Sequence, residues 1–127
     1  MREIKFRAWE KSSQMMIGYL TLDRIISNFH GLYKKKWSDL IWMQYTGLRD
    51  KSEKEIYEGD IIEIPVGYSG HIPPVRNQIT YIGGTYLLKP HGLRLGDWNK
   101  DGLIIGNIYE SKHLLDKETA NALQTDR

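Results

Sequence analysis

The feature that most constrains this chain is a period of two. From residue 3 to residue 9 apolar and charged side chains alternate. Ile4, Phe6 and Ala8 fall to one side, and Glu3, Lys5 and Arg7 to the other. That repeat matches a strand with one face toward a core, because successive β side chains point to opposite faces. The pattern returns along the sequence and is interrupted mainly by glycine, proline and short polar clusters. Met15 to Leu20 is apolar again after the polar Glu10 to Gln14, which predicts a β-hairpin. Ser38 to Thr46, Ile61 to Ile64, Asn77 to Ile82, Thr85 to Lys89 and Leu103 to Tyr109 follow as strands, the last of them buried. Gly83-Gly84 between two such runs predicts a tight hairpin, since two glycines supply the positive φ of a primed turn.

One segment departs from this period. Leu22, Ile25, Ile26 and Phe29 have helical spacing, with Thr21 placed to cap the start and Gly31 to end the helix. Leu32 to Trp37 reads as an exposed strand or loop. Arg49 to Glu55 reads as a charged excursion, and Pro65 to Pro74 and Pro90 to Gly102 as surface loops. With seven or eight short strands and one or two short helices, the expected fold is mainly β (a β-dominated α+β class). Its expected form is a curved, barrel-like antiparallel sheet. A β-rich domain is expected over residues 1–115, and a polar tail, helical or disordered, over 116–127.

Composition removes several kinds of chemistry. The 127 residues contain no cysteine, which excludes thiol catalysis, thiolate metal sites and disulfides. No apolar run is long enough to cross a membrane as a helix, and the opening Met1 to Arg7 has no apolar segment of a secretory signal. A cytoplasmic protein with no membrane partner is the expectation. The net charge of +2 is far below that of a dedicated nucleic-acid binder.

Three segments together resemble the YopX family of phage and prophage proteins. They are Met1-Arg2-Glu3-Ile4-Lys5-Phe6-Arg7-Ala8-Trp9, then Met43-Gln44-Tyr45-Thr46-Gly47-Leu48-Arg49-Asp50-Lys51 continuing through Lys54-Glu55-Ile56-Tyr57-Glu58-Gly59-Asp60-Ile61-Ile62, and finally Ile105-Gly106-Asn107-Ile108-Tyr109-Glu110. The resemblance implies a phage or prophage origin in a bacterial host, a largely β fold and homo-oligomerisation, and it implies no defined activity. Where the family reads Asp-Lys-Asn-Gly-Lys-Glu, this chain has Asp50-Lys51-Ser52-Glu53-Lys54-Glu55. Loss of the Asn-Gly pair predicts a wider or differently built turn.

Each chemical motif has a plainer structural reading beside it. Asp97-x-Asn99-x-Asp101-Gly102 matches the opening of a calcium loop, but Ile108 stands where a bidentate Glu is required, and no helix pattern precedes it. A polar turn is the expected role. Asp50, Glu58 and Asp60 are the acids of the central segment. Turn chemistry at Gly47, Gly59 and Asp60 accounts for them without catalysis, and Gly83, Gly84 and Gly106 are read as turn positions too. Lys5, Arg7, Lys34, Lys35, Lys36 and Trp37 interleave cations with rings and form the candidate nucleic-acid surface, although lysines also guard strand edges. His30, His71, His91 and His113 lack zinc spacing. Trp42, Tyr45, Tyr57 and Tyr81 are expected in the core. No cofactor and no catalytic set is predicted. The expected function is an accessory protein that binds itself or a phage or host protein. A weak nucleic-acid binder and a small enzyme with a dispersed site are the alternatives.

Overall fold

The computed structural model describes residues 3–27, 37–67 and 71–116. Nine antiparallel strands within these residues form two sheets. The first runs in the order β2-β1-β3-β4: β1 is Lys5–Glu10, β2 Met15–Thr21, β3 Leu40–Arg49 and β4 Glu55–Tyr57. It curls into a half-barrel. The second runs β8-β7-β6-β5-β9. Its strands are β5 Asp60–Ile64, β6 Val75–Ile82, β7 Thr85–Lys89, β8 Leu93–Arg94 and β9 Leu103–Asn107. The β-dominated antiparallel fold expected from the period-two pattern is the fold observed.

The half-barrel is built as the alternation prescribes on one side. Phe6 and Ala8 face outward with Ile17, Leu20, Leu40 and Trp42, and helix α1 (Leu22–Ser27) covers them through Ile25. Thr21 caps that helix as expected, its hydroxyl accepting the Arg24 N–H at 3.3 Å. The second sheet packs Ile62, Ile64, Ile79, Leu88 and Leu95 into a separate core. Ile56 from β4 and Leu48 from β3 join this core, so the two sheets share a seam at the far end of the β3–β4 hairpin. Among the described residues no helix is long and apolar enough to cross a membrane.

Several expectations need correction. Lys5 and Arg7 do not face solvent: Lys5 is buried and Arg7 largely so, because the concave side of the half-barrel is closed against the β4–β5 junction. Strand β3 runs on through the excursion to Arg49. It absorbs Gly47 (φ 84°) as a bulge, where the Thr46 hydroxyl donates to the Ile56 carbonyl at 2.8 Å and accepts the Leu48 N–H. The loop from Pro90 to Gly102 is structured. It holds β8, a one-turn helix α2 (Leu95–Trp98) and a 3-10 turn Asn99–Asp101, nucleated by Leu95, which is fully buried. The last strand ends at Asn107 and is an edge strand with Leu103 exposed, not a buried one. Tyr81 lies at an exposed hairpin tip, outside the core. The expected exposed segment 32–36 and the polar tail lie outside the described residues, apart from Asp116.

The hairpin between β3 and β4 is wider than two residues, as loss of Asn-Gly predicts. Arg49 pairs with Glu55, and the loop between them closes through Asp50 N–H to the Lys54 carbonyl at 2.9 Å. Glu53 sits at φ 68°, the left-handed region that the family's glycine would occupy without strain. Replacing Glu53→Gly is expected to raise unfolding stability by about 0.5–1 kcal/mol, since a non-glycine residue pays a steric cost there. Urea unfolding followed by tryptophan fluorescence measures it.

Candidate functional site

Glu58-Gly59-Asp60 joins the two sheets, and almost every polar atom in it has a partner. The Glu58 carboxylate accepts the Gln44 N–H at 2.9 Å, and the Glu58 N–H donates to the Gln44 carbonyl at 3.0 Å. The Gly59 N–H donates to Ile79 in β6 at 2.9 Å, and its carbonyl accepts the Ile108 N–H at 2.8 Å. Only glycine suits this position: φ is 84°, and a Cβ would lie 3.1 Å from the Met43 sulfur. Asp60 Oδ2 accepts the Tyr57 N–H at 2.8 Å, the turn role expected of it.

Its other oxygen does something the turn chemistry did not reveal. Asp60 Oδ1 lies 2.8 Å from Arg7 Nη2, and the side chains are only 3% and 13% exposed. The same Arg7 nitrogen donates to the Glu58 carbonyl at 3.1 Å. The guanidinium also lies 4.9 Å from the centre of the Tyr57 ring. Burial pushes the Asp60 carboxyl above its ordinary value and outweighs the opposing pull of the Arg7 charge and the Tyr57 N–H. Two residues earlier on β1, Lys5 is paired with Glu55, lies 3.2 Å from Glu3 and sits over Tyr45 at 4.9 Å. Burial pulls the Lys5 ammonium down, but hydrogen bonds to Glu55 and Glu3 overcome this and hold it above its usual value. Tyr45 and Tyr57 lie ring to ring at 5.5 Å between these cations. Trp9 completes the concave face by stacking on Tyr109 at 5.6 Å.

A cleft of about 340 Å³ opens beside this network, lined by Arg7, Gly18, Lys54, Glu55 and Tyr57. It lies between the two ends of the half-barrel, since Gly18 belongs to β2 and Glu55 and Tyr57 to β4. Burial raises the Tyr57 phenol, so it is protonated at neutral pH.

The remaining predicted positions fall elsewhere. Asp50 is a buried turn acid, not part of an acid cluster with Glu58 and Asp60. Its Oδ1 accepts from the Ser52 N–H (2.8 Å), the Ser52 hydroxyl (2.9 Å) and the Lys54 N–H (2.9 Å), and Oδ2 accepts the Ile104 N–H of β9 at 2.9 Å. Burial alone would raise this carboxyl, but those donors together hold it below its ordinary value. In the calcium-like segment, Asp97 pairs with Arg94 at 3.4 Å on the surface, and Asp101 is exposed. Asn99 is buried and donates to the Arg49 carbonyl at 2.7 Å. Helical backbone at Asp97 and Asn99 therefore replaces the open loop a cation needs. Among the described residues no group of three or more His, Asp or Glu side chains is placed to hold a metal ion. His91 contacts Asn77 Oδ1 through both its N–H and its ring, each at 3.0 Å. Gly83 and Gly84 have φ of 61° and 84° as the hairpin requires. Gly106 is fixed by contact instead, since a Cβ would come within 2.6 Å of the Ser111 hydroxyl. Lys34, Lys35 and Lys36 lie outside the described residues, and Trp37 opens a short 3-10 turn. The structure thus holds Lys5 and Arg7 in internal ion pairs.

Comparison with known proteins agrees with this architecture. A family model described as YopX protein matches residues 5–116. Among solved structures, the chain is similar to protein EF1440 from Enterococcus faecalis. The identity is 24% over 89% of this chain and 98% of that chain, with a TM-score of 0.61. At that identity the likeness concerns the fold. Comparison with curated proteins finds no match.

Two measurements test the seam. Arg7→Met and Asp60→Asn should each lower unfolding free energy by about 3–5 kcal/mol, because each leaves a buried polar group without its partner. The double variant should lose clearly less than the sum, and strictly additive losses in urea titrations would show the pair is not coupled. Asp50 sets an acid limb. Its folded value lies below the unfolded one, so its stabilisation is present above about 3.8 and is lost as pH falls through the depressed value. The loss of stability below that pH should be shallower in Asp50→Asn than in the unaltered protein, as read by denaturant midpoints across an acid series.

Proposed function

The chain belongs to the YopX family, and on that premise we propose that it is a phage- or prophage-encoded accessory protein that works by binding, not catalysis. A bacterial cytoplasmic location belongs to the same proposal. The chemistry of the site supports a non-catalytic reading. Arg7 and Asp60 neutralise each other, Lys5 and Glu55 do the same, and Glu58 is tied to the Gln44 backbone. These acids and bases are therefore engaged in internal contacts: Arg7–Asp60 ties the two sheets together, and Lys5–Glu55 ties β1 to β4 within the first.

The observation that carries the binding reading is the tip of the β6–β7 hairpin. Along β6 the core face runs Asn77, Ile79, Tyr81, and along β7 it runs Leu88, Tyr86. Asn77, Ile79 and Leu88 are buried, yet Tyr81 in the same row is 55% exposed. Tyr81 stands directly opposite Tyr86, with ring centres 5.0 Å apart. Strand β5 begins at Asp60, so the last residues of β6 run past it and carry Tyr81 out of the core, while Tyr86 still packs against the core's edge. Ile82, on the other side of the tip, is 40% exposed. An aromatic presented on a rigid turn is the kind of anchor that interface centres favour. A second copy of the chain is the expected partner.

Multi-angle light scattering at high micromolar concentration tests this. The unaltered protein is expected to be an oligomer. Tyr81→Ser combined with Ile82→Ser is expected to shift it to monomer with little change in thermal midpoint, because both side chains are solvent-exposed. A monomeric unaltered protein would remove self-association from the reading.

A further inference from the structure

We propose that the cleft between β2 and β4 is a binding site for a small organic anion, a carboxylate or phosphate monoester, engaged by Lys54 and seated against Gly18. This site is separate from the hairpin tip and does not depend on it.

Three observations carry the assignment. The first is charge. Of the ionised side chains lining the cleft, Arg7 is neutralised by Asp60 and Glu55 by Lys5. Lys54 has no carboxylate within ion-pair distance among the described residues, so its ammonium is the unbalanced charge of the wall. An anionic guest would complete it. Beside it, Arg7 Nε is buried and makes no hydrogen bond within the described residues, which leaves an unused donor on a cleft-lining side chain.

The second is Gly18. It lies inside a strand, where glycine is unfavourable, at the bulge of β2. Its φ is outside the left-handed region, and a Cβ built on it would meet no atom of the described residues within 4 Å. Glycine inside a strand marks a bulge or a wall that something approaches closely, and the bulge at Gly18 leaves the cleft that it lines open.

The third is the register. Phe6 pairs with Leu20 and Ala8 with Ile17, so β2 carries one extra residue opposite Arg7. That bulge falls at Gly18 and Tyr19. Bulges re-aim side chains and occur beside functional sites, and they also blunt a strand edge against a pairing strand. A compact ligand therefore fits this edge better than an added strand. The volume of about 340 Å³ is at the lower end of the range for small-molecule sites.

The test is a titration of the full-length, isotopically labelled protein with benzoate and phenyl phosphate, followed by amide NMR. The expected result is saturable shifts at Gly18, Lys54 and Tyr57 below about 10 mM, with benzamide, the neutral isostere of benzoate, at least about tenfold weaker. Lys54→Glu should weaken binding by about tenfold or more, since it removes a charge-assisted contact. Gly18→Val should abolish binding while keeping or raising the thermal midpoint, because valine suits a strand and a Cβ there meets no atom of the described residues within 4 Å. Response to phenyl phosphate alone assigns the anion as phosphate, and to benzoate alone as carboxylate. Absence of saturable shifts with either anion overturns the proposal, and so does undiminished binding by both variants. Lys54→Met, at an exposed position, reads the charge contribution if Gly18→Val does not fold.

Discussion

A buried ion pair ties the two sheets together at their junction. Arg7 reaches from the middle of the half-barrel to Asp60 at the first residue of the second sheet, and neither side chain is more than marginally exposed. A buried pair of this kind is costly to form, because both ions leave water, and costly to break, because either partner alone would be stranded. The chain lowers the first cost by surrounding the pair with hydrogen bonds. The Glu58 carbonyl takes one guanidinium donor, and the Tyr57 N–H satisfies the second Asp60 oxygen. The ring of Tyr57 covers the cation.

This seam explains why the concave face is polar and still buried. In an isolated sheet, Lys5 and Arg7 would point to water. Here the β4–β5 junction folds across them, and each cation finds both a carboxylate and a tyrosine ring. Apolar packing secures the neighbouring regions: α1 over the convex face, and Ile56 with Leu48 against the second core. Asp50 adds a further tie by capping its own hairpin and, through Ile104, the edge strand β9. Among the described residues, the features outside this network include a cleft where Lys54 makes no ion pair and a hairpin tip with an uncovered aromatic.

How far these features could be read in advance depended on how local they are. The strands, the Gly83-Gly84 hairpin, the Thr21 cap and the turn role of Asp60 are local in sequence, and each was legible. Tyr81 was misassigned because its alternation places it on the core face, and only the starting point of β5 decides that no core lies beneath it. The calcium-like spacing of Asp97, Asn99 and Asp101 misled in the same way, since the burial of Leu95 fixes helical backbone through that segment. Lys5 and Arg7 had the signature of a solvated face. Their partners are Glu55 and Asp60, some fifty residues away, and no pattern of period two reports a separation that long. Gly18 gave one faint signal, a glycine in an otherwise apolar strand.

By itself, the sequence determined the β-rich class, the placement of most turns and membership of a family, because all three depend on alternation and on residues adjacent along the chain. Tertiary structure alone decided which charges are internal, which aromatic stays in solvent and where a cleft opens. The physical reason is that side-chain alternation specifies two faces for each strand but not what comes to lie against them. That depends on how one sheet curls over the other.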